Sequence, residues 1–179
     1  MQTLEERLKK IKIIVSDVDG VLTDGRLYFL DQKEMKVFFS KDAPRTVTAL
    51  KSGLKILLLT ARKCQAVVKR AAEMKVDLVF KQEFKEKKVK FLDMIKDKYG
   101  LEPDQIAYIG DDWSDLYLMG QVGVAITPSD GSSENKQIAH IVTEAKGGFG
   151  VMAEVIEEIM RAQGTWEKYA KEFLVEFYQ

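Results

Sequence analysis

Short runs of Val, Ile and Leu alternate with helix-patterned stretches along most of the chain, and that alternation confines it to few architectures. Ile11 to Ser16 is nearly continuous in apolar residues, and Leu54 to Leu59, Leu78 to Phe80, Ile106 to Ile109 and Val122 to Ile126 repeat the pattern. Runs that are apolar throughout, rather than at every second residue, suit strands buried on both faces. Between them the spacing predicts helices over about 43 to 52, 63 to 74, 84 to 99 and 113 to 120. Pro44 after Asp42 fits a helix start, Gly53 and Gly100 fit helix ends, and Thr3 with Glu6 forms a capping-box signature for a short first helix. Strand alternating with helix predicts an α/β fold with a doubly wound, Rossmann-like parallel sheet. Ligands of such sheets gather at the carboxyl ends of the strands, so the residues just after each strand are where chemistry is expected.

Two segments break the alternation. Residues 26–39 (RLYFLDQKEMKVFF) read as an inserted β-hairpin around a polar turn at Asp31 to Glu34. Residues 165–179 form a tail with Trp166, Tyr169, Phe173 and Phe177 at helical spacing. With 179 residues, 46% of them apolar, and no internal repeat, residues 1–179 are expected to form one domain. Lys plus Arg and Asp plus Glu both number 28, so no basic field exists to hold nucleic acid or anionic lipid. One cysteine, Cys64, excludes an intrachain disulfide framework or a Cys-rich zinc site. No apolar run reaches the roughly 18 residues of a membrane span, and the charged N-terminus lacks a signal-peptide core, so a cytoplasmic address is expected.

The strand ends carry the chemistry. The first strand runs into Asp17, Val18, Asp19 and Gly20, the glycine implying that the chain turns there. A carboxylate at a buried strand tip can act as a nucleophile, and one two residues on can serve as acid and base for the leaving group. The plainer alternative is a polar strand-to-loop junction. Thr60 ends the next run, where its hydroxyl and N–H suit a phosphate oxygen or a helix N-cap. Lys88, beside Lys85 and Lys87, reads locally as part of a solvated helix face. The fourth run delivers Asp111, Asp112 and Asp115 in GDDWSD, with no basic neighbour in the segment. Helix-dipole effects account for one or two of those aspartates but not also for the pair at 17 and 19. Oxygen-only ligands with scarce Cys and His favour Mg²⁺ over Zn²⁺ or Cu²⁺.

Together these positions resemble the haloacid dehalogenase superfamily of phosphotransferases at all four of its motifs: Asp17 with Asp19, Thr60, Lys88, and Asp111 with Asp112 and Asp115. The resemblance implies that Asp17 attacks phosphorus to form an aspartyl phosphate. Asp19 then protonates the departing alkoxide and later activates the hydrolytic water. It also implies that Mg²⁺ is held by Asp17, the Asp19 carbonyl and Asp111, with Thr60 and Lys88 on the phosphoryl oxygens and Asp112 and Asp115 in support. Only 40 residues separate Asp19 from Thr60 and 27 separate Thr60 from Lys88, so neither gap fits a full cap domain.

DVDGVLTDG, the hairpin, TAR at 60–62 with Arg70 eight residues on, YIGDDWSDL, GGFG and a late AQG look like the capless, tetrameric 3-deoxy-D-manno-octulosonate 8-phosphate phosphatase family. That resemblance implies a sugar-acid phosphate substrate from lipopolysaccharide biosynthesis, with Arg62 and Arg70 as substrate-binding or loop-anchoring cations. The chain departs from the family pattern at Ala61, at Asp42 to Arg45 and at Ala153, which bears on substrate identity and leaves a phosphatase for another sugar acid or small monoester as an alternative. A non-hydrolytic phosphoacceptor signalling domain also uses strand-end aspartates, a Thr, a Lys and Mg²⁺, but places its acceptor after the third strand. The resemblance implies a homotetramer, and the hairpin's apolar residues on both faces predict that hairpins pair in that assembly, with the tail approaching a neighbour's site. Cys64 and His140 read as packed residues, and Asp24 as a turn or supporting residue.

Overall fold

The computed structural model describes residues 2–31, 33–82 and 90–177. Helix α1 (Leu4–Lys10) opens with the expected capping box: Glu6 N–H donates to Thr3 Oγ1 at 3.2 Å, and Thr3 N–H to the Glu6 carboxylate at 2.8 Å. The strands of the main sheet are β1 (Ile13–Ser16), β4 (Lys55–Thr60), β5 (Asp77–Phe80), β6 (Ile106–Ile109), β7 (Val124–Thr127) and β8 (Ile141–Val142). They pair in parallel in the order β5-β4-β1-β6-β7-β8. The expected doubly wound sheet is therefore present, and β1, which leads to Asp17, lies between β4 and β6.

The apolar runs are continuous because each strand feeds two cores. Ile14, Ile56, Leu58, Ala107 and Ile109 pack toward helices α2 (Asp42–Lys51), α3 (Gln65–Met74) and α7 (Val151–Ala162), which contribute Ala49, Val67 and Val155 to the same cluster. Ile13, Val15, Leu57, Leu59, Ile106 and Tyr108 pack on the other face toward α4 (Phe91–Tyr99) and α5 (Leu116–Met119), through Phe91, Ile95 and Met119.

Several boundaries differ from expectation. The helix anticipated over 84 to 99 is described only from Phe91 onward, and Lys88 lies outside the described residues. The segment 113 to 120 is a 3₁₀ turn at Trp113–Asp115 followed by α5, because Asp115 folds back to receive backbone N–H groups instead of continuing a helix from 113. The seventh strand starts at Val124 rather than Val122. Gly123 N–H is instead taken by Pro103 O at 2.8 Å. Helix α6 (Ser133–Ile138), α7 and β8 were not anticipated.

The hairpin consists of β2 (Tyr28–Leu30) and β3 (Lys33–Met35), paired antiparallel with Phe29 opposite Glu34. It is shorter than the 26–39 segment, and Phe29, Leu30 and Val37 are 62%, 59% and 65% exposed. The tail forms α8 (Trp166–Phe177) and packs against α2 and α7 of its own chain. No helix among the described residues is long and apolar enough to cross a membrane.

Candidate active site

At the end of β1 the ladder continues one residue further, with Asp17 N–H donating to Ile109 O at 2.9 Å. The chain then coils: Val18 O accepts from Leu22 and Thr23 N–H at 3.0 and 3.1 Å. Gly20 makes the turn at φ +87°, and a Cβ there would sit 1.9 Å from Asp111 Oδ2. Backbone therefore runs directly against the Asp111 carboxylate, a position that only glycine can fill. Gly147, after β8, is equally tight, since a Cβ would lie 2.0 Å from Gly20 O.

This coil brings the β1 and β6 ends together. Carboxylate oxygens of Asp17, Asp111 and Asp115 all lie within 4.8 Å of one another. Asp115 is fully buried and saturated: Oδ1 accepts from Tyr108 OH at 2.7 Å and Lys81 Nζ at 3.1 Å, while Oδ2 accepts from Asp111 and Asp112 N–H at 3.1 and 3.4 Å. Asp17 Oδ1 accepts from Val18 N–H at 2.8 Å, and its Oδ2 faces Lys81 Nζ at 3.3 Å. Burial, then repulsion from Asp115, pushes the Asp17 pKa up to about 7. Asp111 is likewise pushed up to about 7 by burial and by the charges of Asp115 and Asp17. Burial alone would discharge Lys81, but Asp17 and Asp115 hold it as an ammonium.

Among the described residues, three clustered carboxylates face one ammonium, an excess of negative charge in a low-dielectric pocket, and a hard divalent cation with oxygen ligands is the group that matches it. Asp115 has its oxygens occupied by four donors. Among the described residues, Asp17 and Asp111 carry fewer donors and keep room to accept more.

The other anticipated residues take varied places. Thr60 is buried at the tip of β4, and its Oγ1 accepts from Arg62 N–H at 3.1 Å, leaving its own hydrogen to donate. Asp19 is paired with Lys36, which follows β3. Arg62 holds Glu34 of β3 in a fork, Nη2 to Oε2 at 2.8 Å and Nε to both oxygens at 3.2 Å. Arg70 donates from Nη2 to Phe39 O at 3.0 Å and stacks over the Phe38 ring, so both arginines grip the hairpin segment. Asp112 is exposed and caps the 3₁₀ turn. Asp24 accepts from Tyr28 OH at 3.0 Å and Arg26 N–H at 3.1 Å, bracing the hairpin entry. Cys64 is buried as expected, whereas His140 is exposed and sits beside the sheet, its Nδ1 accepting from Ala125 N–H at 3.0 Å.

Lys81 is a cation of the candidate site that sequence reasoning does not single out. It directly follows β5, the position in which the other strand-end residues were sought, and its N–H donates to Thr60 O at 2.7 Å. Two of the departures from the family pattern meet at an open cavity of about 520 Å³ lined by Phe39, Arg45, Phe149, Ala153 and Glu157, where Arg45 Nε donates to Glu157 at 3.1 Å.

No family model matches the chain. The curated 3-deoxy-D-manno-octulosonate 8-phosphate phosphatase of Escherichia coli K12 is 31% identical over 163 residues, 90% of this chain and 86% of that protein. The solved structure of a probable YrbI family phosphatase from Pseudomonas syringae is 36% identical, with a TM-score of 0.87, covering 96% of this chain and 97% of that one. The 3-deoxy-D-manno-octulosonate 8-phosphate phosphatase of Moraxella catarrhalis, solved with a magnesium ion, a phosphate ion and KDO, is 29% identical with a TM-score of 0.86. That alignment covers 94% of this chain and 97% of that one.

Proposed function

The chain belongs to the 3-deoxy-D-manno-octulosonate 8-phosphate phosphatase family of the haloacid dehalogenase superfamily, and on that premise we propose that it is a Mg²⁺-dependent phosphatase of this sugar-acid phosphate in lipopolysaccharide biosynthesis, acting in the cytoplasm. The observation that carries the proposal is the cluster of Asp17, Asp111 and Asp115, with Lys81 bonded to Asp17 and Asp115 and with Asp19 two residues from Asp17.

In the proposed reaction an Asp17 carboxylate oxygen attacks phosphorus as the bond to the sugar oxygen breaks, and Asp19 gives its proton to the departing alkoxide. A water then loses its proton to Asp19 and attacks the aspartyl phosphate, and the Asp17–phosphorus bond breaks to free inorganic phosphate. Asp17, the Asp19 carbonyl and Asp111 would hold Mg²⁺, which when bound supplies positive charge to the phosphoryl group. Thr60 donates its hydroxyl hydrogen to a phosphoryl oxygen. Lys81 offsets charge beside Asp17, and Lys88, on the family resemblance, neutralises a phosphoryl oxygen together with Thr60. Asp115 fixes Lys81 and the Asp111 backbone, and Asp112 shapes the turn. Arg62 and Arg70 act as loop anchors.

The substrate assignment is tested by phosphate release from 3-deoxy-D-manno-octulosonate 8-phosphate, a nine-carbon sugar-acid 9-phosphate and simple hexose phosphates, with and without Mg²⁺. The eight-carbon ester is expected to have the highest kcat/KM. Preference for another ester would move the substrate and keep the phosphatase, whereas phosphorylation without phosphate release would favour the signalling-domain reading.

The raised carboxyl pKa values have a testable sign. In the unfolded chain Asp17 and Asp111 ionise near 3.8, whereas in the fold they hold protons to about 7. The metal-free protein therefore loses stability as pH rises through that window. Its melting temperature is expected to be higher at pH 5.5 than at pH 8, and added Mg²⁺ should raise it more at pH 8, where protons no longer compete. Melts in which Mg²⁺ gives the same shift at both pH values would contradict this metal site.

The assembly is proposed to be a homotetramer joined through the hairpins. Exposed Phe29, Leu30 and Val37 on a two-stranded ribbon support it, because such ribbons are marginal until covered. Sedimentation should give four times the 20.4 kDa chain mass, and a monomer at micromolar concentration would end the idea.

A further inference from the structure

Four charged groups of alternating sign run from the body of the sheet to the proposed acid–base residue. Arg62, just beyond β4, forks onto Glu34 of β3. The Glu34 carboxylate also takes Lys36 Nζ at 2.7 Å, and Lys36 reaches onward to Asp19 Oδ1. The Lys36 side chain is 1% exposed and that of Glu34 15%, so the inner links are shielded from water. Such ions are costly to bury singly and stable only as a chain in which each has its counter-ion. Arg62 and Lys36 together hold the Glu34 pKa down at about 2, so it is a carboxylate throughout the neutral range.

The geometry has a directional consequence. Lys36 occupies Asp19 Oδ1, and among the described residues nothing donates to Oδ2. One oxygen of the carboxylate is thereby tied to the hairpin, and the other is left to carry the transferred proton. The hairpin itself has strands of three residues each, too short to hold its shape unaided. Its attachment through Glu34 to Arg62, whose N–H also meets Thr60 Oγ1, links hairpin order to the phosphate side of the pocket.

We propose that Lys36 is a positioning residue for the acid–base step, fixing the Asp19 carboxylate from the hairpin, and that Glu34 and Arg62 are the strut that holds Lys36 in place. This rests on the phosphatase reading above. Because Asp19 serves both to protonate the leaving group and to activate water, loss of Lys36 should be felt differently by esters of different leaving ability. An alkyl sugar phosphate needs the proton for departure. The nitrophenolate of p-nitrophenyl phosphate leaves without it, so only the second step is slowed.

The experiment compares wild type, Lys36→Met and Lys36→Arg on 3-deoxy-D-manno-octulosonate 8-phosphate and on p-nitrophenyl phosphate, with saturating Mg²⁺ and rapid mixing. For Lys36→Met we expect kcat on the sugar ester to fall about 100-fold, the range of a lost general acid. On the aryl ester it should give a burst approaching one nitrophenolate per chain, followed by slow turnover. Lys36→Arg, which keeps the charge, should restore part of the sugar-ester rate and shrink the burst. Full retention of both rates in Lys36→Met overturns the proposal, as does an equal loss on both esters without a burst. Wild type inactive on both esters would instead overturn the phosphatase reading and this inference with it. If Lys36→Met does not fold, Arg62→Met decides: a strut residue lowers kcat on the sugar ester with KM kept within about twofold, whereas a raised KM at unchanged kcat places Arg62 on the substrate and refutes the strut.

Discussion

Asp17→Asn is expected to leave below about 1% of the Mg²⁺-dependent phosphatase activity while the protein melts no lower than wild type. An amide oxygen is a poor nucleophile, and the substitution also removes one of the two carboxylates proposed to hold the metal. Stability should move the other way. Asn is nearly isosteric, can still accept from Val18 N–H, and removes the burial of a charge and the repulsion from Asp115 that together push the Asp17 pKa up to about 7. Active sites commonly carry such strain, and removing it trades activity for stability. Phosphate release measured on protein free of host phosphatase, together with a melt in metal-free buffer at pH 8, checks both halves. Activity above about 1% would end the covalent role. A variant that is inactive but also much less stable would mean that the loss came from the fold.

Much of this arrangement was legible in the sequence for one reason: strand ends in a parallel sheet are set by local pattern. The runs ending at Asp17, Thr60 and Ile109 are buried on both faces, so their apolar continuity survives inspection without any knowledge of tertiary contacts. The same logic applied to β5 would have stopped at Lys81. Lys81 does not stand out by pattern, because Phe80 is followed by a lysine-rich stretch in which one more lysine carries little signal, and because the strand itself is only partly buried. Helix α7 was readable too: Val151, Met152, Val155, Ile156, Ile159 and Met160 recur with helical period and are all fully buried.

The ion chain through Lys36 was not legible. Its links join residues 17 and 28 positions apart, and nothing in EMKVFF marks a buried ammonium rather than a solvated one. Arg62 and Arg70 illustrate the same limit. Their spacing shows two cations near a phosphate-binding strand end, but only the fold reveals that both are spent on the hairpin segment, through Glu34 and Phe39 O. The departures at Arg45 and Ala153 are distant in sequence and meet at one cavity because α2 and α7 pack together, with Asp42 receiving Ala153 N–H at 3.1 Å. A change in substrate preference, if the ester panel reveals one, is expected to trace to this cavity rather than to the aspartate cluster.

The largest loss of stability is expected from Asp115→Ala, at about 3–5 kcal/mol, the range for breaking a buried ion pair by deleting one partner. Two effects oppose each other. Removing Asp115 relieves repulsion on Asp17 and Asp111, the second-largest cause of their raised pKa values after burial. Against that, it strips four donors at once: Tyr108 OH, Lys81 Nζ and the N–H groups of Asp111 and Asp112. Tyr108 and Asp115 are fully buried, so water cannot take over without opening the turn. A buried donor left unpaired costs about 1–3 kcal/mol, so the lost hydrogen bonds outweigh the relieved repulsion. For a chain of this size the melting temperature should fall by roughly 10 °C, from about 2–4 °C per kcal/mol. Asp115→Asn should lose less, since it keeps an oxygen for Tyr108 or for the turn but presents an NH₂ to the rest. Near-native melting of Asp115→Ala at pH 8, with Mg²⁺ binding intact, would show that the turn holds Asp111 by other means and that Asp115 is not its anchor.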